Sequence, residues 1–274
     1  MPAQTFLDFE HDGWENPAVC EAYDGSLATV TTQCIDALLD AAGVKAGVRL
    51  LDVATGAGYV AAAAAQRGAP STGVDFSASQ VAMARTRYPA LSFEQAGADA
   101  LPFAAGSFDA VVSNFGMPHF PDPGAAMREA LRVLAPEGRF AFSVWDVPER
   151  AVPFGAVYAA VKAHGSMDVG LPAGPNFFLF SDPDKCRAAL LDAGFVSPSV
   201  VTVPQLWRVA DPGVVVQAIL QATVRASATL RAQTPKAREA ILTTIKETIA
   251  SYKKGERYEV PAPAVVASAM KPKS

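Results

Sequence analysis

The sequence predicts an α/β fold with a mostly parallel sheet, and two observations lead to it. Between residues 48 and 145, short apolar runs alternate with helical patterns, and the connections are short. Such alternation is typical of a parallel sheet that helices cover on both faces. In the first strand–helix connection, an apolar run containing Asp52 passes into Gly56-Ala57-Gly58. Glycines between a strand and a helix indicate a turn that a ligand can approach closely.

Each element of this block has its own signal. Ser77 is expected to cap the second helix, because its oxygen can accept a hydrogen bond from the first-turn amides. Asp122-Pro123 is expected to start the third helix, since proline is tolerated in a first turn. The predicted strands span residues 48–53, 71–75, 91–95, 110–114 and 138–145, and the predicted helices span residues 59–66, 77–88 and 124–134.

The flanking segments have weaker patterns. Residues 11–42 predict one or two helices, residues 182–193 a helix closed by Gly194, and residues 211–252 two helices separated near Pro235. Residues 198–207 and 260–270 each predict a strand, and residues 150–180 are rich in Pro, Gly and Phe. We expect one domain over residues 1–274. Its core takes residues 45–145, 182–207 and 258–270, and its largely helical cap takes residues 1–44, 150–180 and 208–255.

Composition excludes several classes of protein. The net charge of −4 gives no electrostatic basis for binding nucleic acid, and no apolar run is long enough to span a membrane. The first ten residues lack the pattern of a signal peptide. Three scattered cysteines favour neither a disulfide framework nor a zinc site, and we expect no metal and a cytoplasmic location.

A second acid indicates the kind of ligand. Asp75 ends another short apolar run, close to the roughly 20-residue offset from the glycine turn at which an acid meets a ribose in dinucleotide-binding folds. The sequence therefore predicts a cofactor that contains a nucleoside.

Five segments in series form a recognisable pattern, and they are residues 51–58, 73–77, 98–103, 107–113 and 128–139. Together they resemble the class I S-adenosylmethionine-dependent methyltransferases, and the resemblance is greatest to the ubiquinone and menaquinone type. Ala54 departs from the pattern, because it stands where the family usually has its first glycine. The resemblance implies a Rossmann-like fold with a mostly parallel seven-stranded sheet between helices.

The resemblance also implies S-adenosyl-L-methionine as cofactor and gives several residues a role. Asp75 would bind the ribose hydroxyls, Asp99 the adenine amine and Asp52 the methionine end. His119 is the candidate general base, and a structural or substrate-positioning role for it is an equal alternative. The cofactor-binding candidates are Tyr23, Asp52, Ala54, Gly56, Gly58, Asp75, Phe76, Asp99, Ala100 and Asn114.

The predicted function is transfer of a methyl group to a small, partly apolar molecule. The sequence does not decide whether the acceptor atom is oxygen, nitrogen or carbon, or whether the protein is a homodimer. One alternative is a nicotinamide-dependent short-chain reductase, because Tyr158 and Lys162 fit Tyr-x-x-x-Lys and Ser143 lies upstream. Against it, the glycine pattern that such reductases need is absent after the first strand. A methyltransferase fold that only binds a ligand is the other alternative.

Overall fold

The computed structural model describes residues 4–273. Residues 1–3 and 274, at the ends of the predicted domain, lie outside the described residues, and residues 1–3 are also the first of the ten that lack a signal-peptide pattern. By their contacts the residues divide into two compact units. The larger unit takes Thr31–Trp145, Pro175–Val203 and the chain from Ala264 onward, and the smaller unit takes the rest. The predicted division into core and cap within one domain stays a prediction.

The larger unit contains a seven-stranded sheet. Its strands, in chain order, are β1 (Leu50–Val53), β2 (Ser71–Asp75), β3 (Ser92–Gln95), β4 (Phe108–Asn114), β5 (Leu134–Trp145), β6 (Val196–Val203) and, last in the sequence, β10 (Ala264–Met270). They lie side by side in the order β3-β2-β1-β4-β5-β10-β6. The pairs from β3 to β5 are parallel, and β10 is antiparallel to both of its neighbours. The predicted mostly parallel seven-stranded sheet is therefore confirmed.

Helices cover both faces of this sheet because successive side chains of each strand point in opposite directions. Leu50 packs in one buried cluster with Leu38 and Val60, whereas Leu51 packs in another with Met127 and Val133. The helices of this unit are α4 (Ile35–Ala41), α5 (Tyr59–Gln66), α6 (Ala78–Arg87), α7 (Pro123–Val133) and α9 (Pro183–Asp192).

The predicted helix ends are confirmed where a cap defines them. The Ser77 hydroxyl accepts from the backbone N–H of Gln80 at 3.1 Å. Asp122 accepts from Ala125 at 2.9 Å, and Pro123 follows in the first turn of α7. Gly194 lies two residues after the end of α9, and its φ of +96° is a conformation that suits a glycine cap.

The smaller unit is mainly helical and carries a three-stranded sheet. Its elements are α1 (Phe6–Trp14), α2 (Pro17–Gly25), α3 (Ala28–Thr31, which ends at the unit boundary), α8 (Val152–His164), α10 (Pro212–Gln221), α11 (Arg225–Arg231), α12 (Pro235–Ala250), β7 (Leu206–Val209), β8 (Lys253–Lys254) and β9 (Arg257–Pro261). The three strands lie in the order β7-β9-β8. No single helix among residues 4–273 has the length and apolarity to cross a membrane, although α10 and α11, bent by 96°, satisfy that test as a pair.

The prediction of one or two helices over residues 11–42 is wrong, because the chain forms several shorter helices there. Asn16 accepts from Ala18 and starts a new helix at Pro17, which divides the predicted run. The run over residues 211–252 contains three helices, since a further break follows Gln221. The Thr223 hydroxyl, which lies in this break, donates to the Ile219 carbonyl and accepts from the backbone N–H of Ser227.

Two predicted strands are each divided between the sheets. Residues 198–207 contain the end of β6 and the start of β7, and residues 260–270 contain the end of β9 and all of β10. Pro204 lies between the first two strands and Pro263 between the others. Proline has no N–H for a ladder, so the strands end beside it and the chain changes sheets.

Candidate functional site

The candidate site lies at the carboxyl ends of β1, β2 and β4. In the sheet order, β1 lies between β2 and β4. The chain adds β2 and β3 on one side of β1 and then β4 and β5 on the other. Such a switch point leaves a crevice beyond the strand ends, where open α/β sheets bind ligands. Asp52 and Asp75 come at or near the ends of two of these strands, and α5 begins directly after the glycine turn.

Asp52 is a fully buried carboxylate. Its Oδ2 accepts from the Thr55 hydroxyl at 2.6 Å and from the backbone N–H of Ala61 at 3.2 Å. Its Oδ1 has no hydrogen-bond partner among residues 4–273. Burial raises the pKa of the Asp52 carboxyl to about 7, the two hydrogen bonds oppose this rise, and the charge of Asp75 adds to it. A cationic donor placed at Oδ1 would stabilise the ionised form.

The two glycines of the turn are needed for different reasons. Both have positive φ, +54° at Gly56 and +85° at Gly58. A Cβ at Gly58 would lie 2.8 Å from the Phe93 ring and 3.0 Å from Tyr88, so close packing requires this glycine. A Cβ at Gly56 would meet only the Gln80 side chain, at 3.9 Å. The space beside Gly56 is therefore open, as expected where a ligand passes the backbone.

Ala54, which stands where the resemblance predicts a glycine, has a backbone conformation that favours glycine. Its φ is +58°, in the left-handed region that costs an L-residue roughly 1–2 kcal/mol. An ideal Cβ on Gly116 would lie 2.7 Å from the Ala54 methyl group and 2.5 Å from the Ser113 hydroxyl. The Ala54 methyl group therefore fits here because its neighbour, Gly116, has no side chain.

Asp75 connects the second strand to the glycine turn. Its Oδ2 accepts from the backbone N–H of Gly56 at 2.9 Å, and its Oδ1 accepts from that of Ser77 at 3.0 Å. Each carboxylate oxygen can accept more than one hydrogen bond, so Asp75 can also accept from a pair of hydroxyls. Phe76 follows it, half-buried, and its carbonyl accepts from the Gln95 side chain at 2.9 Å.

Asp99 and Ala100 lie on an exposed turn after β3. The backbone N–H of Ala100 donates to Gly97 at 3.3 Å. A Cβ on Gly97 would come within 2.8 Å of the Asp99 Oδ1, so the carboxylate lies directly over this glycine. Asp99 is therefore an exposed hydrogen-bond acceptor in the turn that follows β3.

Asn114 is held in a buried polar network. Its Oδ1 accepts from Ser143 at 2.6 Å and from the Cys34 thiol at 3.2 Å, and its Nδ2 donates to the Thr31 carbonyl at 3.2 Å. Burial raises the pKa of Cys34 to about 12, which keeps its thiol protonated as a donor. These contacts give Asn114 a structural role at the end of β4, and the predicted contact with the methionine end stays a prediction.

Sequence reasoning did not identify Phe115, which has the least favourable backbone conformation at this edge. Its φ is +59°, and a bulky residue in that region is a strained one. Its N–H donates to both the carbonyl and the hydroxyl oxygen of Ser143, at 3.0 and 3.1 Å. Its ring packs against Trp145 with the centroids 4.3 Å apart. Strain that the surroundings maintain in this way is often found at functional sites.

His119 ends the short 3₁₀ turn that follows Phe115. The side chain is half-buried, and its ring meets the edge of Phe177 at 5.9 Å between centroids. Its backbone N–H donates to Gly116 at 2.9 Å. Tyr23 lies in the smaller unit, where its ring meets the edge of Trp14 at 5.6 Å.

The residues present fit S-adenosyl-L-methionine. Its ammonium group, ribose hydroxyls and adenine amine are all hydrogen-bond donors, and the strand ends offer the carboxylates Asp52, Asp75 and Asp99. The unpartnered Oδ1 of Asp52 and the open space beside Gly56 are the features that a bound ligand would use. Among residues 4–273, no group of three or more His, Cys, Asp or Glu side chains is placed to hold a metal ion.

The reductase alternative gains no support from the structure. A catalytic tyrosine needs a lowered pKa, whereas burial raises the pKa of Tyr158, with only Arg225 opposing the rise. The Ser143 hydroxyl is engaged with Asn114 and Phe115.

Comparison with known proteins gives concordant results. Residues 51–142 match the family described as a methyltransferase domain. A demethylmenaquinone methyltransferase of Beutenbergia cavernae is 42% identical over 122 residues, which cover 44% of this chain and 50% of that protein. Another, from Thermus thermophilus, is 41% identical over 173 residues, covering 57% of this chain and 78% of that protein. The chain thus spans about half the length of the first relative and over three quarters of the second.

Among solved structures, phosphoethanolamine N-methyltransferase 2 of Haemonchus contortus in complex with S-adenosyl-L-methionine has a TM-score of 0.60 at 18% sequence identity. The match covers 99% of this chain and 61% of that chain. At this identity the likeness concerns the fold alone.

Proposed function

The chain belongs to the class I S-adenosylmethionine-dependent methyltransferases, and from that premise we propose that it transfers a methyl group from S-adenosyl-L-methionine to a small, partly apolar molecule. Membership confirms the family predicted from the sequence. The observation that carries the proposal is the pairing of a buried, half-partnered carboxylate, Asp52, with the open space beside Gly56 at the centre of the sheet edge.

The protein's task in this reaction is binding and alignment. S-adenosyl-L-methionine supplies, when bound, a methyl group on a sulfonium that is already reactive. Asp75 would accept from the ribose hydroxyls, Asp99 would accept from the adenine amine, and Asp52 would attract the ammonium of the methionine end. Three such contacts along one ligand would restrict its rotation, which is the contribution of orientation to the rate.

The acceptor is proposed to be an aromatic or otherwise flat apolar molecule. Phe177 places a half-buried aromatic ring beside His119, and the buried rings of Phe115 and Trp145 pack against each other after β4 and at the end of β5. Aromatic side chains bind flat rings through large apolar contact and exclude water from the reaction. Because two relatives are named demethylmenaquinone methyltransferases, a demethylmenaquinone is the first acceptor to test.

His119 is proposed to act on the acceptor, as a general base if that acceptor is a hydroxyl. His119→Ala should then lower turnover roughly 10²–10⁴-fold with unchanged cofactor affinity, and the loss should shrink at high pH, where the acceptor ionises unaided. A raised KM with an unchanged pH profile would indicate a positioning role instead. His164, which contacts Thr244 in the smaller unit, provides the matched control, and His164→Ala should leave the rate unchanged.

Calorimetry tests cofactor choice directly. The wild type should bind S-adenosylhomocysteine and not NADPH. Asp75→Ala should weaken binding by about 1.5–3 kcal/mol, the scale of a hydrogen bond to a charged group. Asp192→Ala, at an exposed acid of α9, serves as control. Binding of NADPH without the adenosyl ligand would overturn the proposal.

A second measurement separates an enzyme from a protein that only binds the cofactor. Transfer of radiolabelled methyl from S-adenosyl-L-methionine to a demethylmenaquinone and to phenolic, amine and carbon acceptors should appear with at least one of them. Cofactor binding without transfer to any would favour the non-catalytic alternative.

Location and assembly complete the proposal. We propose a cytoplasmic protein, because Cys20, Cys34 and Cys186 form no disulfide within residues 4–273, as is usual in a reducing compartment. A homodimer stays a prediction, which light scattering on the purified protein would test.

A further inference from the structure

The loop after β3 is held in place by two side chains of α7. The Glu129 Oε2 accepts from the backbone N–H of Leu101 at 2.9 Å. Arg132 donates through Nη2 to the carbonyl of Leu101 at 2.9 Å and through Nη1 to that of Phe103 at 2.7 Å. Three backbone groups of one short loop are therefore fixed by one pair of side chains.

The pair is itself rigid. Arg132 contacts Glu129 through two parallel hydrogen bonds, Nε to Oε1 at 2.7 Å and Nη2 to Oε2 at 2.8 Å. Bidentate contacts of this kind have a fixed geometry as well as added strength. The ion pair lowers the pKa of Glu129 and raises that of Arg132, so both stay charged near neutral pH.

The loop is also anchored by its own side chains. Leu101 is buried in the cluster that contains Val133 and Leu134, and the Phe103 ring meets the edge of Phe108 at 5.0 Å. Asp99 and Ala100, the two residues just before Leu101, are exposed. The anchored residues, Leu101 and Phe103, therefore fix the position of the exposed residues that precede them in the loop.

We propose that Glu129 and Arg132 are positioning residues that place Asp99 and Ala100 to select adenine over a purine without the 6-amino group. This inference rests on the proposed function, in which Asp99 accepts from the adenine amine. A displaced carboxylate would still attract the cofactor but would no longer distinguish an amine donor from a carbonyl acceptor, because that distinction depends on hydrogen-bond geometry. Selectivity, rather than affinity alone, is the property that the pair controls.

The test compares the dissociation constants of S-adenosylhomocysteine and S-inosylhomocysteine, which carries a carbonyl in place of the 6-amino group. The wild type should prefer the adenine ligand roughly ten- to hundredfold, as expected for one hydrogen bond to a carboxylate. Arg132→Met removes the donors to Leu101 and Phe103 and should bring the preference close to one. Arg132→Lys keeps one charged donor and should retain an intermediate preference.

Arg128 provides the matched control on the same helix. It is exposed and pairs with Asp122 at 3.5 Å, away from the loop. Arg128→Met should keep the wild-type preference. Thermal unfolding of each variant distinguishes positioning from a merely structural role, which would lower the melting temperature without changing the preference.

Glu129→Gln keeps an acceptor for Leu101 but loses the charge, and it replaces Arg132→Met if that variant does not fold. Its preference should fall severalfold. A folded Arg132→Met or Glu129→Gln protein with the full wild-type preference would overturn the inference while leaving the proposed function intact. Equal binding of the two ligands by the wild type would also overturn the inference, whereas failure to bind S-adenosylhomocysteine would overturn the proposed function itself.

Discussion

Asp52 shows how one residue connects stability to function. A carboxylate without contact to solvent and with one unpartnered oxygen lowers stability, because its charged form is poorly solvated. Such a residue is retained where a ligand supplies the missing partner. The unpartnered oxygen thus lowers stability, and a cofactor that donates a hydrogen bond to it would offset that loss.

The titration of Asp52 predicts a specific pH dependence of folding. Its native pKa of about 7 lies above the ordinary value of 3.8, so the native state holds the extra proton between these values. The free energy of unfolding should therefore fall as pH rises from about 4 to about 7 and level off above that, with a contribution of at most about 4 kcal/mol. Urea unfolding between pH 4.5 and 8 measures this slope.

Asp52→Asn is the control for this prediction, because it keeps the shape of the side chain and cannot ionise. The slope between pH 5 and 7 should largely disappear in that variant. An equal slope in both proteins would assign the pH dependence to other groups. Asp109 has the opposite effect on the pH dependence. A direct hydrogen bond from Arg49 lowers the pKa of Asp109 below 3.8, so its contribution to the free energy of unfolding rises with pH, and it does so in a lower pH range.

The sequence predicted the residues whose roles are local. Asp52, Gly56 and Asp75 were found because a strand end, a turn and a fixed spacing define them, and the structure brings all three together. The network around Asn114 could not be predicted, since Thr31 and Cys34 come from one part of the chain and Ser143 from another, both distant in sequence from Asn114. The strain at Phe115 was equally inaccessible, because the carbonyl and hydroxyl that stabilise it belong to Ser143 on another strand.

At the scale of elements, local signals predicted helix starts better than strand ends. Ser77 and Asp122 cap helices with their own side chains, and the helices begin where the sequence indicates. The end of a strand depends on which residues of the neighbouring strand are available for backbone pairing. β5 begins at Leu134, four residues before the predicted start, because Phe108 on β4 pairs with it across an irregular register.

Helix α8 was not predicted, because its apolar residues lie on most of its surface and give no clear helical period. Its packing predicts the effect of substitution at Gly155. An ideal Cβ there would lie 2.0 Å from the Pro148 carbonyl oxygen, which belongs to the backbone and cannot move aside easily. Gly155→Ala should reduce the free energy of unfolding by about 1–3 kcal/mol or more, as overpacking does.

Gly25 in α2 is the matched control for this substitution. A Cβ there would meet nothing within 4 Å, and its φ is not positive. Gly25→Ala should therefore leave stability unchanged or raise it by about 0.4–1 kcal/mol. Chemical denaturation of both variants measures the difference, and equal stability of the two would show that α8 does not pack against residue 148 as described.

At the scale of the whole molecule, the chain order of the sheet explains what could be predicted. Strands β1 to β5 follow one another in the chain, and a helix lies in each connection except that from β3 to β4, so the alternation in the sequence predicts their parallel arrangement. The last strand, β10, is inserted between β5 and β6, and no local pattern indicates this position. The smaller unit, built from three separated stretches, carries no motif that would have predicted its sheet.

The position of β10 predicts that the larger unit depends on the last residues of the chain. Strand β10 pairs with β5 from Trp145 to Arg139 and with β6 on its other side, and Val265, Val266 and Ala267 are fully buried. A chain that stops at residue 263 would lose both ladders and leave the edges of β5 and β6 open. Each buried valine alone contributes about 1.5–3 kcal/mol, which is a large part of the 5–15 kcal/mol that stabilises a typical domain.

We therefore expect the chain ending at residue 263 to lose cooperative thermal unfolding and to aggregate through the exposed strand edges. A chain ending at residue 272 is the control, because it keeps the whole of β10 and also Lys271, whose Nζ donates to the Leu134 carbonyl at 2.7 Å. That control should unfold at the temperature of the full chain, as measured by circular dichroism. A single cooperative transition near that temperature in the shorter chain would mean that β5 and β6 are held together without β10, contrary to the strand order.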